Sequence, residues 1–240
     1  MDISWDHRGG ATIERDGHPQ SYVHPDDPGL LVFEYVEQFA LVLEALRPHP
    51  SPLAVTHVGG AGMTFPRWVQ HAHPGSPQVV LEPYTELTSL VRRELPLPRG
   101  HRIRVRPVTG QVGICGLRPG SADVVVVDAY DEGQLPGDLV GTWWTGELDR
   151  VVAEDGLVLV NVADRPPLRW LARYCATLAT RFEHVGQLIL REVAKGKSFG
   201  NVVVVASHHR LDDVGLTRAA ARASFRVPQR LAAARAGAPT

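Results

Sequence analysis

Short apolar runs alternate with longer segments of helical periodicity from about residue 51 onward, and this alternation constrains the fold more than any other feature of the sequence. Such a pattern is typical of a parallel sheet whose crossover helices cover both faces. The predicted strands cover residues 53–58, 78–82, 103–108, 122–128 and 157–162, and the predicted helices cover 65–72, 84–94, 139–154 and 168–180. The chain is therefore predicted to adopt a doubly wound, Rossmann-like α/β fold.

The predicted parallel sheet ends in an antiparallel hairpin. Strand patterns at 184–190 and 201–206 are joined by a connection too short for a crossover helix, which predicts a hairpin. A parallel core that ends in such a hairpin is typical of the S-adenosylmethionine-dependent methyltransferase variant of the doubly wound sheet. Before the core, a hairpin is predicted over 11–23, turning at Asp16-Gly17, and a helix over 30–46 near Asp26-Asp27-Pro28.

These elements divide the chain into three parts. Residues 1–50 are predicted to form an N-terminal β hairpin and helix, residues 51–207 a nucleoside-binding domain, and residues 208–240 a tail that is helical or frayed. A chain of 240 residues accommodates one main core of this kind.

The first predicted strand runs into a turn made of Gly59, Gly60, Ala61 and Gly62. Residues without a bulky side chain let the backbone turn sharply and approach a ligand closely. Glu82 follows at the end of the second predicted strand, where a carboxylate can accept hydrogen bonds from both hydroxyls of a ribose. Together these residues predict a site for an adenosine-containing ligand.

Two carboxylates follow the fourth predicted strand, Asp128 and Asp131, in a loop with glycine and proline. Ligands of open α/β sheets bind outside the carboxyl ends of the strands, so both side chains are expected to face the ligand crevice. Paired carboxylates there can bind a cation and remove a proton from an amine that attacks a sulfonium-bound carbon.

The order of glycine turn, Glu82 and then Asp128-x-x-Asp131 resembles that of the spermidine synthases, which are aminopropyltransferases. The segment 33–37, Phe-Glu-Tyr-Val-Glu, is similar to the family's aromatic-x-Tyr-x-Glu segment, which lines the amine pocket. Segments 57–68, 103–108, 122–130 and 199–207 read like the compact actinobacterial-type members, so the resemblance covers about residues 21–207.

The resemblance implies a homodimer that uses decarboxylated S-adenosylmethionine, without a metal, to transfer an aminopropyl group to an amine such as putrescine. Asp128 would accept the proton of the attacking amine, and Asp131 and Tyr35 would hold the polyamine. Glu82 would fix the ribose, and residues 59–62 would cradle the nucleoside.

The sequence departs from the family in two segments that bear on the donor. Gly62-Met63 stands where the family has an acidic residue and a further glycine, which predicts a bulkier, uncharged rim. Where the family has a Gly-Asp pair that contacts the adenine, this sequence reads Thr109-Gly110-Gln111, so Thr109 or Gln111 would offer an uncharged hydrogen-bonding group instead. Two alternatives stay open: a small-molecule methyltransferase using ordinary S-adenosylmethionine, and a catalytically silent binding or dimerisation module.

Composition and motifs exclude several other classes. A formal net charge of −1 argues against a nucleic-acid or anionic-membrane partner. No apolar segment is long enough to span a bilayer and no signal sequence is apparent, which predicts a cytoplasmic protein. The histidine clusters, His71-Ala72-His73 and His208-His209, lack a carboxylate or cysteine at ligand spacing, which argues against a metal site.

Overall fold

The structure is a computed structural model that describes residues 1–47, 51–130, 134–222 and 229–233. Its described part contains a three-stranded sheet and an eight-stranded sheet. The small sheet comprises β1 (Asp2–Trp5), β2 (Ala11–Arg15) and β3 (His18–Val23), all antiparallel. Helix α1 (Glu34–Leu46) then leads towards the large sheet.

The large sheet alternates with helices along most of its length. Its strands are β4 (Val55–Val58), β5 (Gln78–Leu81), β6 (Ile103–Arg106), β7 (Ala122–Val127), β8 (Val152–Asp164), β9 (His184–Leu190), β10 (Gly200–Ser207) and β11 (Gln229–Ala233). The helices are α2 (Thr64–Ala72), α3 (Thr85–Glu94), α4 (Gly110–Cys115), α5 (Gly141–Val151), α6 (Arg169–Leu178), α7 (Arg191–Ala194) and α8 (Asp213–Arg222), with a 3-10 turn at Gly137–Leu139.

The strand order of the large sheet is β11-β9-β10-β8-β7-β4-β5-β6. Strands β4 to β8 are parallel to one another, whereas β10 lies between β8 and β9 and is antiparallel to both. The chain order reverses between β4 and β7, so the crevice where ligands bind in this class of fold opens beside the ends of these two strands. The predicted doubly wound, methyltransferase-type sheet and its antiparallel hairpin are confirmed.

The apolar strands are buried on both faces, which explains why they read as continuous hydrophobic runs. In β7, Val124 and Val126 pack on the side of α1 and α2, whereas Val125 and Val127 pack on the side of α5 and α6. One strand therefore contributes alternate side chains to two separate cores.

The small sheet packs beside the crevice through an apolar cluster of its own. Ile13 and Val23 contact Leu87 and Val91 on the buried face of α3. This contact positions the 11–23 hairpin over the carboxyl ends of the central strands.

The start of the first helix was predicted wrongly. Helix α1 begins at Glu34, because the Asp27 side chain and carbonyl instead accept hydrogen bonds from Gly29 and Leu30 and close a turn. Leu30 is largely exposed, so it belongs to no buried helical face.

Other differences lie at element ends. The predicted helix over 139–154 is shorter, because positive φ at Gly141 separates it from the 3-10 turn and strand β8 begins at Val152. Strands β1 and β11 and the short helices α4 and α7 were not predicted. Among the described helices, none is long and apolar enough to span a membrane.

Candidate functional site

The turn after β4 lies between the ends of two neighbouring strands. The Gly59 N–H donates to the Leu81 carbonyl at the end of β5, and the Asp128 N–H donates to the Val58 carbonyl, each at 2.9 Å. Gly59 has φ +85°, and a Cβ there would collide with the carbonyl oxygen of Asp128. Only glycine fits both the backbone conformation and the close approach.

The Glu82 carboxylate holds this turn in place. Its Oε2 accepts hydrogen bonds from the N–H groups of Gly60 at 3.0 Å and Ala61 at 3.2 Å, and its Oε1 accepts one from Tyr84 at 3.0 Å. The side chain is buried, yet it lines a cavity. A carboxylate has about four lone-pair sites, so it retains capacity to accept hydrogen bonds from a ligand.

That cavity, which we call the nucleoside cavity, has a volume of about 350 Å³. The structure brings together around it most of the residues that were predicted from the sequence: Tyr35, Gly59, Gly60, Ala61, Glu82, Thr109, Gly110 and Asp128. Thr109 caps helix α4 by accepting a hydrogen bond from the Val112 N–H at 3.4 Å. The hairpin closes the cavity with Ile13 and Arg15.

Gly62 does not line the nucleoside cavity. It faces the hairpin instead, since a Cβ at this position would meet Ile13 and Ser21. The bulky rim predicted at Met63 is wrong. Met63 is 1% exposed and packs with Val80 and Ile103 away from the cavity. The altered glycine turn therefore leaves the cavity open.

A buried guanidinium fixes the far side of the turn. Arg67 donates hydrogen bonds to the carbonyls of Gly62, Leu95 and Pro96, which ties the turn to the end of α3. Burial lowers the pKa of Arg67 to about 10. This value is still well above 7, so the side chain is charged at neutral pH.

The carboxylate of Asp128 forms the chemical centre of the site. Asn161 Nδ2 donates to Asp128 Oδ1 at 3.0 Å, and the hydroxyl of Tyr35 also hydrogen-bonds to this carboxylate. Burial raises the pKa of Asp128 to about 6, and both hydrogen bonds oppose the rise because they stabilise the charged form. Burial and then the charge of Asp128 raise the pKa of Tyr35 well above its ordinary value, so its hydroxyl stays a donor.

Asn161 is the main functional residue that sequence reasoning missed. It is 1% exposed, and its Oδ1 is buried without a hydrogen-bond partner in the described part of the chain. Asn161 is also among the residues that line a second cavity, although its Oδ1 itself has no exposed surface. The signal in the sequence is a single polar residue within the apolar run 157–162.

The second cavity, which we call the outer cavity, lies on the other side of Tyr35. Its volume is about 1110 Å³, and it shares Arg15, Gln20, Tyr35 and Tyr130 with the nucleoside cavity. The Tyr130 hydroxyl donates to the Asn161 carbonyl at 2.9 Å, which fixes this wall. The two cavities thus meet beside Asp128.

Asp131 lies outside the described residues, so its sequence-based role stays a prediction. Within residues 1–47, 51–130, 134–222 and 229–233, no cluster of three or more His, Cys, Asp and Glu side chains is placed to hold a metal ion.

No protein-family model matches this chain, but it is similar to proteins named polyamine aminopropyltransferase and spermidine synthase. A polyamine aminopropyltransferase from Neisseria meningitidis is 24% identical over 206 residues, which are 83% of this chain and 70% of that protein. The crystal structure of a probable spermidine synthase from Corynebacterium glutamicum superposes with a TM-score of 0.88 at 25% identity, over 97% of this chain and 87% of the other.

A second solved structure is a spermidine synthase in complex with the transition state analogue AdoDATO. It superposes with a TM-score of 0.68 at 16% identity and covers 94% of this chain and 76% of the other, which supports the fold. The resemblance to spermidine synthases that the motifs predicted is confirmed by these comparisons.

The close approach at Gly59 predicts a specific loss of stability. Gly59→Ala should lower the free energy of unfolding by about 3 kcal/mol, because left-handed backbone strain adds to a steric collision. Gly100→Ala is the matched control, since Gly100 has φ +79° with nothing within 4 Å of its added Cβ, and should cost only about 1 kcal/mol. Urea unfolding measures both values, and equal losses would show that the contact with Asp128 is unimportant.

The contacts of Asp128 predict its titration. Its carboxyl ¹³C signal, assigned by its absence in Asp128→Asn, should titrate near pH 6. Asn161→Leu should raise this pKa, because it removes a donor that stabilises the carboxylate. Asn201→Leu is the control, since Asn201 lines the outer cavity and should leave the pKa unchanged. A lower pKa in Asn161→Leu would contradict the assigned hydrogen bond.

Proposed function

We propose that this protein transfers an aminopropyl group from decarboxylated S-adenosylmethionine to a small-molecule amine, as its similarity to spermidine synthases suggests. The observation that carries the proposal is the position of Asp128. This partly buried carboxylate lines the nucleoside cavity and is hydrogen-bonded to Tyr35 and Asn161, which both line the outer cavity. A base is needed where the two cavities adjoin, because the donor and the amine must meet there.

The nucleoside cavity supplies the donor site in this proposal. Glu82 would accept a hydrogen bond from a ribose hydroxyl at its remaining lone-pair site while its existing contacts keep the glycine turn in place. Thr109 and Gly110 border the same cavity, where they would contact the adenine. A transition state analogue is bound by the spermidine synthase that shares this fold, which supports a nucleoside ligand for the same crevice.

The outer cavity supplies the amine. Asp128 would accept one proton of the amine, while Asn161 and Tyr35 hold its carboxylate in place through hydrogen bonds. A base held in a fixed position favours in-line attack by the amine.

The reaction is then a direct displacement at carbon. The amine nitrogen forms a bond to the terminal carbon of the aminopropyl group as that carbon's bond to the sulfonium sulfur breaks. The electron pair of the broken bond goes to sulfur, which leaves as neutral methylthioadenosine. The proton lost from the amine goes to Asp128, which is ionised at neutral pH because its pKa is about 6.

The base role predicts both a rate loss and a pH profile. With decarboxylated S-adenosylmethionine and an amine, Asp128→Asn should lower kcat by about 100- to 10,000-fold, measured as methylthioadenosine release. In the unchanged protein, kcat/KM should decrease as the pH is lowered below about 6, because protonation of Asp128 removes the base.

Asp155→Asn is the control for this experiment, since Asp155 is exposed and contacts Arg47 rather than the lining of either cavity. Methyl transfer from ordinary S-adenosylmethionine, with no aminopropyl transfer, would identify a methyltransferase instead. Binding of methylthioadenosine without any turnover would identify a silent binding module.

The donor site predicts a binding difference between two nearby glutamates. Glu82→Gln should weaken methylthioadenosine binding by about 10- to 100-fold, because a charged acceptor for the ribose hydroxyls is lost. Glu86→Gln, an exposed position on α3, should bind like the unchanged protein. Titration calorimetry compares the two, and equal affinities would remove Glu82 from the proposed site.

A further inference from the structure

The outer cavity is much larger than a short diamine requires. Its volume of about 1110 Å³ is some three times the 350 Å³ of the nucleoside cavity. Pockets of roughly 300–1,000 Å³ enclose ligands of drug size. The cavity begins at Tyr35, next to the proposed base, so an acceptor amine held at Asp128 would extend its other end into this space.

Apolar side chains from two distant segments meet at this cavity. Val32 is 51% exposed and Phe199 is 61% exposed, and Phe33 lies beside them in the lining. A single exposed hydrophobic residue is ordinary on a protein surface. Exposed residues that converge on one cavity indicate a site for an apolar group, because covering them removes apolar area from water.

Two exposed carboxylates belong to the described lining of the outer cavity. The carboxylates among the described lining residues are Asp16 and Glu34. Asp16 Oδ2 lies 3.5 Å from Arg15 Nε, and its side chain is 83% exposed, so its charge is both partnered and screened. Glu34 is exposed at the first turn of α1. Neither resembles the partly buried carboxylate that holds the reacting end.

We propose that the preferred acceptor is a primary amine whose far end is bulky and apolar, rather than a short α,ω-diamine. This inference rests on the proposed function, since it assumes that the amine reacts at Asp128. The amino group lies at Asp128, and the apolar end packs against Val32, Phe33 and Phe199.

Two amines with the same four-carbon chain test this acceptor class. 1,4-Diaminobutane ends in an ammonium group, whereas 4-phenylbutylamine ends in a phenyl ring. Calorimetry on protein saturated with methylthioadenosine should show about tenfold tighter binding of 4-phenylbutylamine. When turnover is measured as methylthioadenosine release from decarboxylated S-adenosylmethionine, the KM for 4-phenylbutylamine should be lower than the KM for 1,4-diaminobutane.

Variants identify the surface responsible. Phe199→Ala should weaken 4-phenylbutylamine binding by about tenfold and leave the affinity for 1,4-diaminobutane unchanged. Val112→Ala is the matched control, because Val112 is also 61% exposed but lies outside the lining of both cavities. Glu34→Gln should leave 4-phenylbutylamine unaffected.

Tighter binding of 1,4-diaminobutane, weakened by Glu34→Gln, would overturn the acceptor class and leave aminopropyl transfer standing. Binding of 4-phenylbutylamine that depends on Phe199, without turnover of either amine, would support the apolar site and overturn the proposed reaction. The apolar site would be overturned if the two amines bound the unchanged protein with equal affinity and Phe199→Ala altered neither affinity.

Discussion

The site depends on the approach of the Gly59 backbone to the carbonyl of Asp128. Strands β4 and β7 are hydrogen-bonded neighbours, so their ends lie about 4.8 Å apart, and a side chain at Gly59 would separate them. Because the turn carries none, the turn that borders the nucleoside cavity lies next to the carboxylate that we propose as the base. The backbone of the sheet thus sets the distance between the nucleoside cavity and the proposed base.

Burial of Asp128 is unfavourable by itself, since desolvation penalises a carboxylate, and its neighbours reduce that penalty without removing it. Asn161 and Tyr35 each donate to the charged form. The outcome, a pKa of about 6, suits a general base at neutral pH. The carboxylate is ionised before reaction yet binds a proton more tightly than an exposed aspartate does.

The sequence predicted what depends on local pattern. The five central strands, the antiparallel hairpin, the glycine turn and the positions of Glu82 and Asp128 at strand ends all follow from apolar periodicity and the rules of parallel sheets. It did not predict the start of α1, because Asp27 can cap a helix or close a turn and only the surrounding contacts decide. The role of Asn161 and the outer cavity were also missed, since both depend on segments distant in sequence that meet only in the fold.

The position of Met63 shows why departures from a family pattern need a structure for their interpretation. In the sequence, a large side chain in the glycine turn reads as an obstruction of the nucleoside site. In the fold, Met63 takes a left-handed backbone conformation at the start of α2 and turns its side chain into the cluster with Val80 and Ile103. Arg67 then ties the turn to the end of α3 from behind. Met63 thus leaves the cavity free, so its side chain is no argument against nucleoside binding.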